Sequence, residues 1–582
     1  MDQIPADVLL AACPDGIRRT AETLRAVVRG AVPDAVERVR GGWNLIGYDM
    51  PLGRRSRYFA YVAPEPAHVH LGFEYGAWMA DPEHVLEGAH LRHGEGGQPT
   101  ICGMHDLASA AVEAALNAGA RYADARVMEM RTESMAARNG AVESLERAER
   151  AGIGVRALIG SSWGFFAVPD VTPAAARRAG EEAAKVARAS TLVPGRDLEL
   201  APVEPAQGSW ASEVLEDPWS VTVAEKGDLL ESVTRAMLDH GADVAEASHD
   251  IWDTRKWLAS SEGHRIDQHI VECGAAMSAT AVGEAETQRR SYPGIRGQYG
   301  TRGWELVREL DLPGNAPRIA EEARQLLTAD ACPALDATDL ILGSEQMALQ
   351  IHESVGHAVE LDRILGWEAA FAGTSWLDLR QLGSLRFGSE LMNITADATL
   401  PGALGSFGYD DEGTPAHPVD IVRQGLWVGA LSGRDSAALA GMPSGAAVRA
   451  DGYNRIPMVR MTNVGLLPGE QSLDEMIAAT EDGIFMDTNR SWSIDDKRLN
   501  FQFGCEIGWE IRGGRRGRLL RNPTYTGIGP RFWGSLDMLG NRSEWTFWGT
   551  PNCGKGQPMQ VGHTGHPSVP CRFRGIRVGV RG

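Results

Sequence analysis

The sequence predicts an α+β protein of several domains, and three observations carry that reading. Its 582 residues suffice for two to four domains with sizeable cores. Residues 105–330 mix helical stretches with strand pairs joined by tight-turn residues. Residues 500–511, NFQFGCEIGWEI, alternate apolar and polar positions without a break, which is the period of a half-buried strand. Most of the chain beyond residue 365 reads the same way, as β.

Residues 1–92 form a small α+β module, with a helix at 17–28 and strands at 58–62 and 68–73. The stretches AVPDAVERV (31–39) and HVHLGF (68–73) resemble the small bacterial YdhG-like domains of unknown function. That likeness implies an accessory module and no assigned chemistry. Gly, Pro and polar residues in RHGEGGQPT (92–100) mark a linker over 93–103.

A mixed domain is expected over 104–330. A helix at 105–118 is closed by Gly119. Strands at 122–131 and 135–146 turn at Asn139-Gly140, a strong hairpin signal, and 152–159 continues the sheet. An alanine-rich helix follows at 172–189 with Thr172 as its cap. The order strand, Gly turn, strand then returns at 257–280 around Glu262-Gly263, a faint internal echo. A helix at 318–329 and a strand at 338–342 lead into the β-rich domain, 331–582. Its final tract, TPNCGKGQPMQVGHTGHPSVPC (550–571), is expected as a loop or short edge strands.

Composition narrows the function. Hydrophobic residues make up 43% and charged residues 23%, as in an ordinary soluble protein. A formal net charge of −20 argues against nucleic acid or an anionic membrane as main partner. No apolar run approaches the roughly 20 residues of a membrane helix. The first residues carry acids and no basic region, so no signal peptide is expected. Seven scattered cysteines suit reduced thiols in a cytoplasm.

The chemistry concentrates in 344–365, SEQMALQIHESVGHAVELDRIL, a buried helix with Ser344 placed as its N-cap. His352, Glu353 and His357 offer two imidazoles and a base, as zinc sites do. The histidines are five apart, which on an ideal helix turns their rings away from each other by about 140°. A single π-turn near Gly356 would bring them together. The bland reading is one core histidine and one surface histidine. A catalytic zinc needs a third protein ligand, and the candidates are Cys505, Cys553, Cys571, His563, His566 and Glu360. Cys505 falls in the apolar row of its strand, as a structural thiol would. Cys553 stands among glycines beside Lys555, a cation that would favour the thiolate. Glu360, three residues past His357, could orient that ring.

The run His352-Glu353-Ser-Val-Gly-His357-Ala-Val-Glu360-Leu-Asp362 resembles the HExxxHxxExD signature of the TldD/PmbA metallopeptidases. The likeness extends over 105–578 through RADGYNRIPMVRMTNV (449–464), TNRSWSIDDKRLNFQFG (488–504), GIGPRFWGSLDMLGN (527–541) and CGKGQP (553–558). It implies Zn2+ held by His352, His357 and Cys553, with Glu353 as general base. It implies an α/β N-terminal part and a β-rich, barrel- or sandwich-like metal domain. It further implies a dimer, with itself or with a metal-free PmbA-like sibling, enclosing a cavity for unstructured peptide. The expected function is zinc-dependent hydrolysis of peptide bonds in extended polypeptides. The rivals are a peptide-binding scaffold with a structural metal and a hydrolase of a non-peptide amide.

Overall fold

The structure is a computed structural model that describes residues 5–11, 13–40, 45–52, 55–64, 69–73, 103–193 and 195–580. The chain divides into two compact units, 1–103 and 104–582. Apart from Gly103, the expected linker at 93–103 lies outside the described residues.

The first unit has helices Ala6–Ala11 and Asp15–Ala31 and a four-stranded antiparallel sheet in sequence order. Leu10, Ala21 and Val28 of the helices meet Ile46, Tyr48, Ala60 and Val62 of the sheet in one core. The sequence suggested two strands; the structure has four, adding Val36–Arg40 and Leu45–Leu52. The first hides behind its charges, since VERVR shows too little alternation to announce a strand.

The second unit opens with a sheet built from two long hairpins side by side. Strands Tyr122–Arg138 and Ala141–Ile159 turn at Asn139 and Gly140, both with positive φ as a tight hairpin requires. The expected strand at 135–146 therefore straddles a turn. Strands Val244–Ser260 and Arg265–Val282 form the second hairpin, paired to the first through Tyr122–Arg138. Helices Met104–Asn117 and Pro173–Ser190 pack on one part of this sheet, Val223–Asp239 and Leu312–Thr328 on another. Thr172 Oγ1 caps its helix by accepting from the Ala175 amide at 3.2 Å.

The β-rich part closes on itself. Leu335–Leu342 pairs with Asp482–Ile494, that strand with Asn500–Arg512, that with Thr524–Ile528, that with Cys571–Val578, and the last again with Leu335–Leu342. The result is a five-stranded barrel filled by Phe501, Phe503, Tyr525 and Phe573. Strand 500–512 was expected to be half-buried, yet Gly504, Glu506 and Gly508 on its polar face are buried too. Glu506 is satisfied there by Arg290 Nη1 at 2.9 Å and by the Ser291 amide and hydroxyl, both at 2.7 Å.

The Gly/Pro-rich end, expected as a loop or short edge strands, takes the strand alternative, with longer strands than expected. Thr546–Lys555 and Gln560–Ser568 form a ten- and nine-residue antiparallel hairpin. Its glycines permit close approach: a Cβ at Gly549 would strike the Tyr299 carbonyl, and one at Gly565 the Asn463 side chain. Among the described residues, no helix is long and apolar enough to cross a membrane.

Candidate metal centre

The barrel strand Leu335–Leu342 runs directly into the helix that carries the histidines. That helix starts at Ser344 with Gly343 at the N-cap, so Ser344 is a first-turn residue and not the cap. Its hydroxyl instead accepts from Trp548 Nε1 at 3.2 Å. The α-helix ends at Ile351, and His352–Gly356 follow as a π-helical turn. The His357 amide bonds the His352 carbonyl, five residues back, at 3.1 Å. One residue of widening turns His357 onto the side of His352, and the ring centroids lie 4.8 Å apart. Gly356 lets the bulge pack, because a Cβ there would strike the Met461 sulphur. The single buried helix expected over 344–365 is thus three pieces, the last being Leu361–Ile364.

Cys553 completes the group. One nitrogen of each histidine and the Cys553 sulphur lie within 4.8 Å of one another, all three side chains being buried. Cys553 Sγ is 3.7 Å from His357 Nε2. The edge of a tetrahedral zinc site between sulphur and imidazole is about 3.6 Å, so the pair has the spacing a shared metal needs. Cys553 sits on a strand opposite Gly562, where the sequence placed it in a loop.

The hydrogen bonds fix both imidazole tautomers. His566 Nδ1 can only donate to the Val464 carbonyl, 3.1 Å away, which leaves its Nε2 as acceptor. His352 Nδ1 lies 2.7 Å from that Nε2 and donates to it, so His352 presents Nε2 as a lone pair. His357 Nδ1 donates to Glu360 Oε2 at 2.9 Å, leaving its own Nε2 free toward Cys553. Burial pushes both imidazoles well below the usual histidine range, so each is neutral, the form that binds metal.

Glu360, expected to orient His357, is fully buried and accepts from that ring. Burial would raise its pKa, but Lys555 and Arg363 hold it well below the ordinary carboxylate range. Lys555, expected to favour the Cys553 thiolate, instead donates to Asp362 Oδ1 at 2.9 Å and to the Val459 carbonyl at 2.7 Å. Burial pushes the Cys553 thiol up, and the cation opposing that most strongly is Arg460.

Glu353 points beside the group without joining it. It is 6% exposed, and Arg498 Nη1 donates to its Oε2 at 2.7 Å. Burial raises its pKa, with Arg498 and Arg296 pulling the other way. Of the other candidate ligands, His566 backs His352, His563 pairs with Glu272 at 2.7 Å, and Cys505 and Cys571 lie in the barrel core. His566 as an orienting group and Arg498 as the partner of Glu353 had no signature in sequence spacing.

Three family models match: PmbA/TldA metallopeptidase domain 1 over 123–187, the central domain over 216–329 and the C-terminal domain over 336–579. A metalloprotease of Methanocaldococcus jannaschii is 28% identical over 70% of this chain and 86% of its own. A zinc metalloprotease TldD homolog of Saccharolobus solfataricus is 27% identical over 31% of this chain and 39% of its own. Among solved structures, TldE of Thermococcus kodakarensis superposes with a TM-score of 0.63 at 13% identity, covering 81% of this chain and all of that one (100%). At that identity the last comparison speaks for the fold.

Proposed function

The chain belongs to the PmbA/TldD metallopeptidase family, and from that premise we propose that it is a zinc-dependent peptidase acting on unfolded or extended polypeptide. The observation that carries the proposal is the meeting of His352, His357 and Cys553, with Glu353 beside them. Two neutral imidazoles and a thiol are a donor set that suits zinc. When bound, zinc supplies Lewis acidity, which acidifies water and polarises a carbonyl.

The protein's own residues supply the rest. Glu353 follows His352 directly in the chain and takes no place among the ligands. As general base it would accept a proton from the attacking water and return it to the leaving amine. Its raised pKa brings it closer to the operating pH, and Arg498 holds the carboxylate at Oε2. The tautomer chain Val464–His566–His352 and the Glu360–His357 pair hold the ring nitrogens in place.

A purely structural metal would require a fourth protein ligand. Glu360 Oε2 is engaged by His357 and Arg363, and His563 by Glu272, so three ligands and an open position fit better. Extended substrate would pair with exposed strand edges, which excludes folded domains. A second copy or a metal-free sibling would complete the cavity, in a cytoplasmic setting that suits the free cysteines. Residues 1–92 would be a separable module. The test is cleavage of casein by the purified protein, its loss after chelation and its return with zinc. Casein left intact by zinc-loaded protein would overturn the proposal.

A further inference from the structure

The block 449–464 carries Arg449 and Arg460; Arg460 opposes the upward push on the Cys553 thiol, and Arg449 has no part in the candidate metal group. Both line a cavity of about 420 Å3 whose other walls include Met130, Trp252, Ile270 and Pro551. That size is within the range of small-ligand pockets. Gly562, directly opposite Cys553 on the hairpin, lines it as well. A Cβ at Gly562 would strike the Arg460 guanidinium, so the glycine makes room for the cation beside the ligand strand.

The two guanidiniums are held by neutral groups. Arg460 Nη2 donates to the Cys553 carbonyl and its Nη1 to the Gln560 carbonyl at 3.5 Å. Arg449 Nη2 donates to the carbonyls of Met461 and, at 2.6 Å, His563. The Nε of each is buried without a partner. Among the described residues no carboxylate pairs with either. The acids of the cavity are engaged elsewhere, Glu272 by His563 at 2.7 Å and Asp451 by the Val561 amide at 2.8 Å. Burial, and then Arg460 itself, push Arg449 down to about 10, against the weaker opposing pull of Glu272 and Asp411.

A buried guanidinium, Arg460, and a half-buried one, Arg449, held only by carbonyls, repel each other and are better placed with an anion between them. A guanidinium fork matches a planar carboxylate through paired N–H bonds. We propose that this cavity is a substrate subsite that takes a peptide carboxylate, seated between Arg449 and Arg460 beside the strand of Cys553. The inference rests on the peptidase reading above. If the carboxylate is the C-terminus, cleavage falls a few residues from the chain end and releases short fragments. If it is a side chain, the enzyme prefers acidic residues next to the cut.

The test uses full-length, zinc-loaded Glu353→Gln protein and fluorescence anisotropy with three fluorescein-labelled Gly/Ala/Ser decapeptides. One ends in a free carboxylate, one in an amide, and one is the amide with a single Glu near its end. A free acid bound at least tenfold more tightly than the plain amide identifies the C-terminus. The same gain in the Glu-bearing amide identifies a side chain. In Arg449→Met the gain should fall below twofold while the plain amide binds as before. Three peptides within twofold of one another, or a gain that survives both Arg449→Met and Arg460→Met, would overturn the subsite. Casein cleavage by the parent protein runs alongside. Cleavage without carboxylate preference defeats the subsite alone; absence of cleavage defeats the peptidase reading, and the anisotropy still judges the cavity.

Discussion

Glu360 Oε2 accepts a hydrogen bond from His357 Nδ1 at 2.9 Å, and the same oxygen receives Arg363 Nε. Lys555 stands 3.3 Å from the other carboxylate oxygen. The carboxylate therefore stays ionised, and it dictates which nitrogen of His357 faces Cys553.

Removing that control should loosen the metal without removing a ligand. Glu360→Gln is expected to lower zinc affinity by about 10–100-fold, the usual effect of losing such an orienting group. Competition with a chromogenic chelator measures it. Unchanged affinity would show that His357 keeps its tautomer without Glu360.

Glu353→Gln should keep one zinc per chain and lose proteolysis by about 10²–10⁴-fold, as removal of a general base does. Its side chain contacts Arg498 and lies outside the His352–His357–Cys553 group. Metal analysis beside casein hydrolysis separates the two effects. Loss of zinc in this variant would make Glu353 a ligand.

Much of this centre was legible in the sequence because helical periodicity is strict. A five-residue spacing between His352 and His357 demands a π-turn if the rings are to meet, and Gly356 is where one can pack. The tautomer chain was not legible, since His566 and Val464 reach His352 only through the fold of the hairpin onto the sheet. Cys553 was one of several candidates by its surroundings, was singled out by the family resemblance, and was misplaced in a loop. Glycines there serve close contacts with Tyr299, Arg460 and Asn463, which sequence composition cannot tell from turn signals. The strand 500–512 hid its buried middle for a related reason: Glu506 reads as solvent-facing until Arg290 and Ser291 are known to cover it.

Acid should weaken the first sheet of the second unit through His249. Its ring is fully buried against Trp304, with centroids 5.1 Å apart, and neither nitrogen has a hydrogen-bond partner. Burial, then Lys226, push it down to about 4 from 6.5. The unfolded chain thus binds an extra proton between those values. The stabilising contribution is complete above pH 6.5 and is lost as pH falls toward 4, on the order of 3 kcal/mol. His249→Phe should flatten the fall in thermal midpoint between pH 7 and 4.5. Parallel pH curves for parent and variant would refute this.

A chain beginning at Met104 should fold and bind zinc as the full protein does, because the second unit contains its own cores and every residue of the metal centre. Circular dichroism and zinc content check it. An insoluble or metal-free product would show that the first unit is integral.

The most direct test of the account is zinc per chain after dialysis against a weak chelator, in Cys553→Ala and Cys505→Ala. Cys553 lies 3.7 Å from His357 Nε2, whereas Cys505 is packed in the barrel core. Cys553→Ala should lose its tightly bound zinc, since two imidazoles leave the site under-coordinated. Cys505→Ala should keep one zinc and lose only about 1–2 kcal/mol of stability to a small cavity. Metal retained in Cys553→Ala and lost in Cys505→Ala would contradict the account and move the site to the barrel strand.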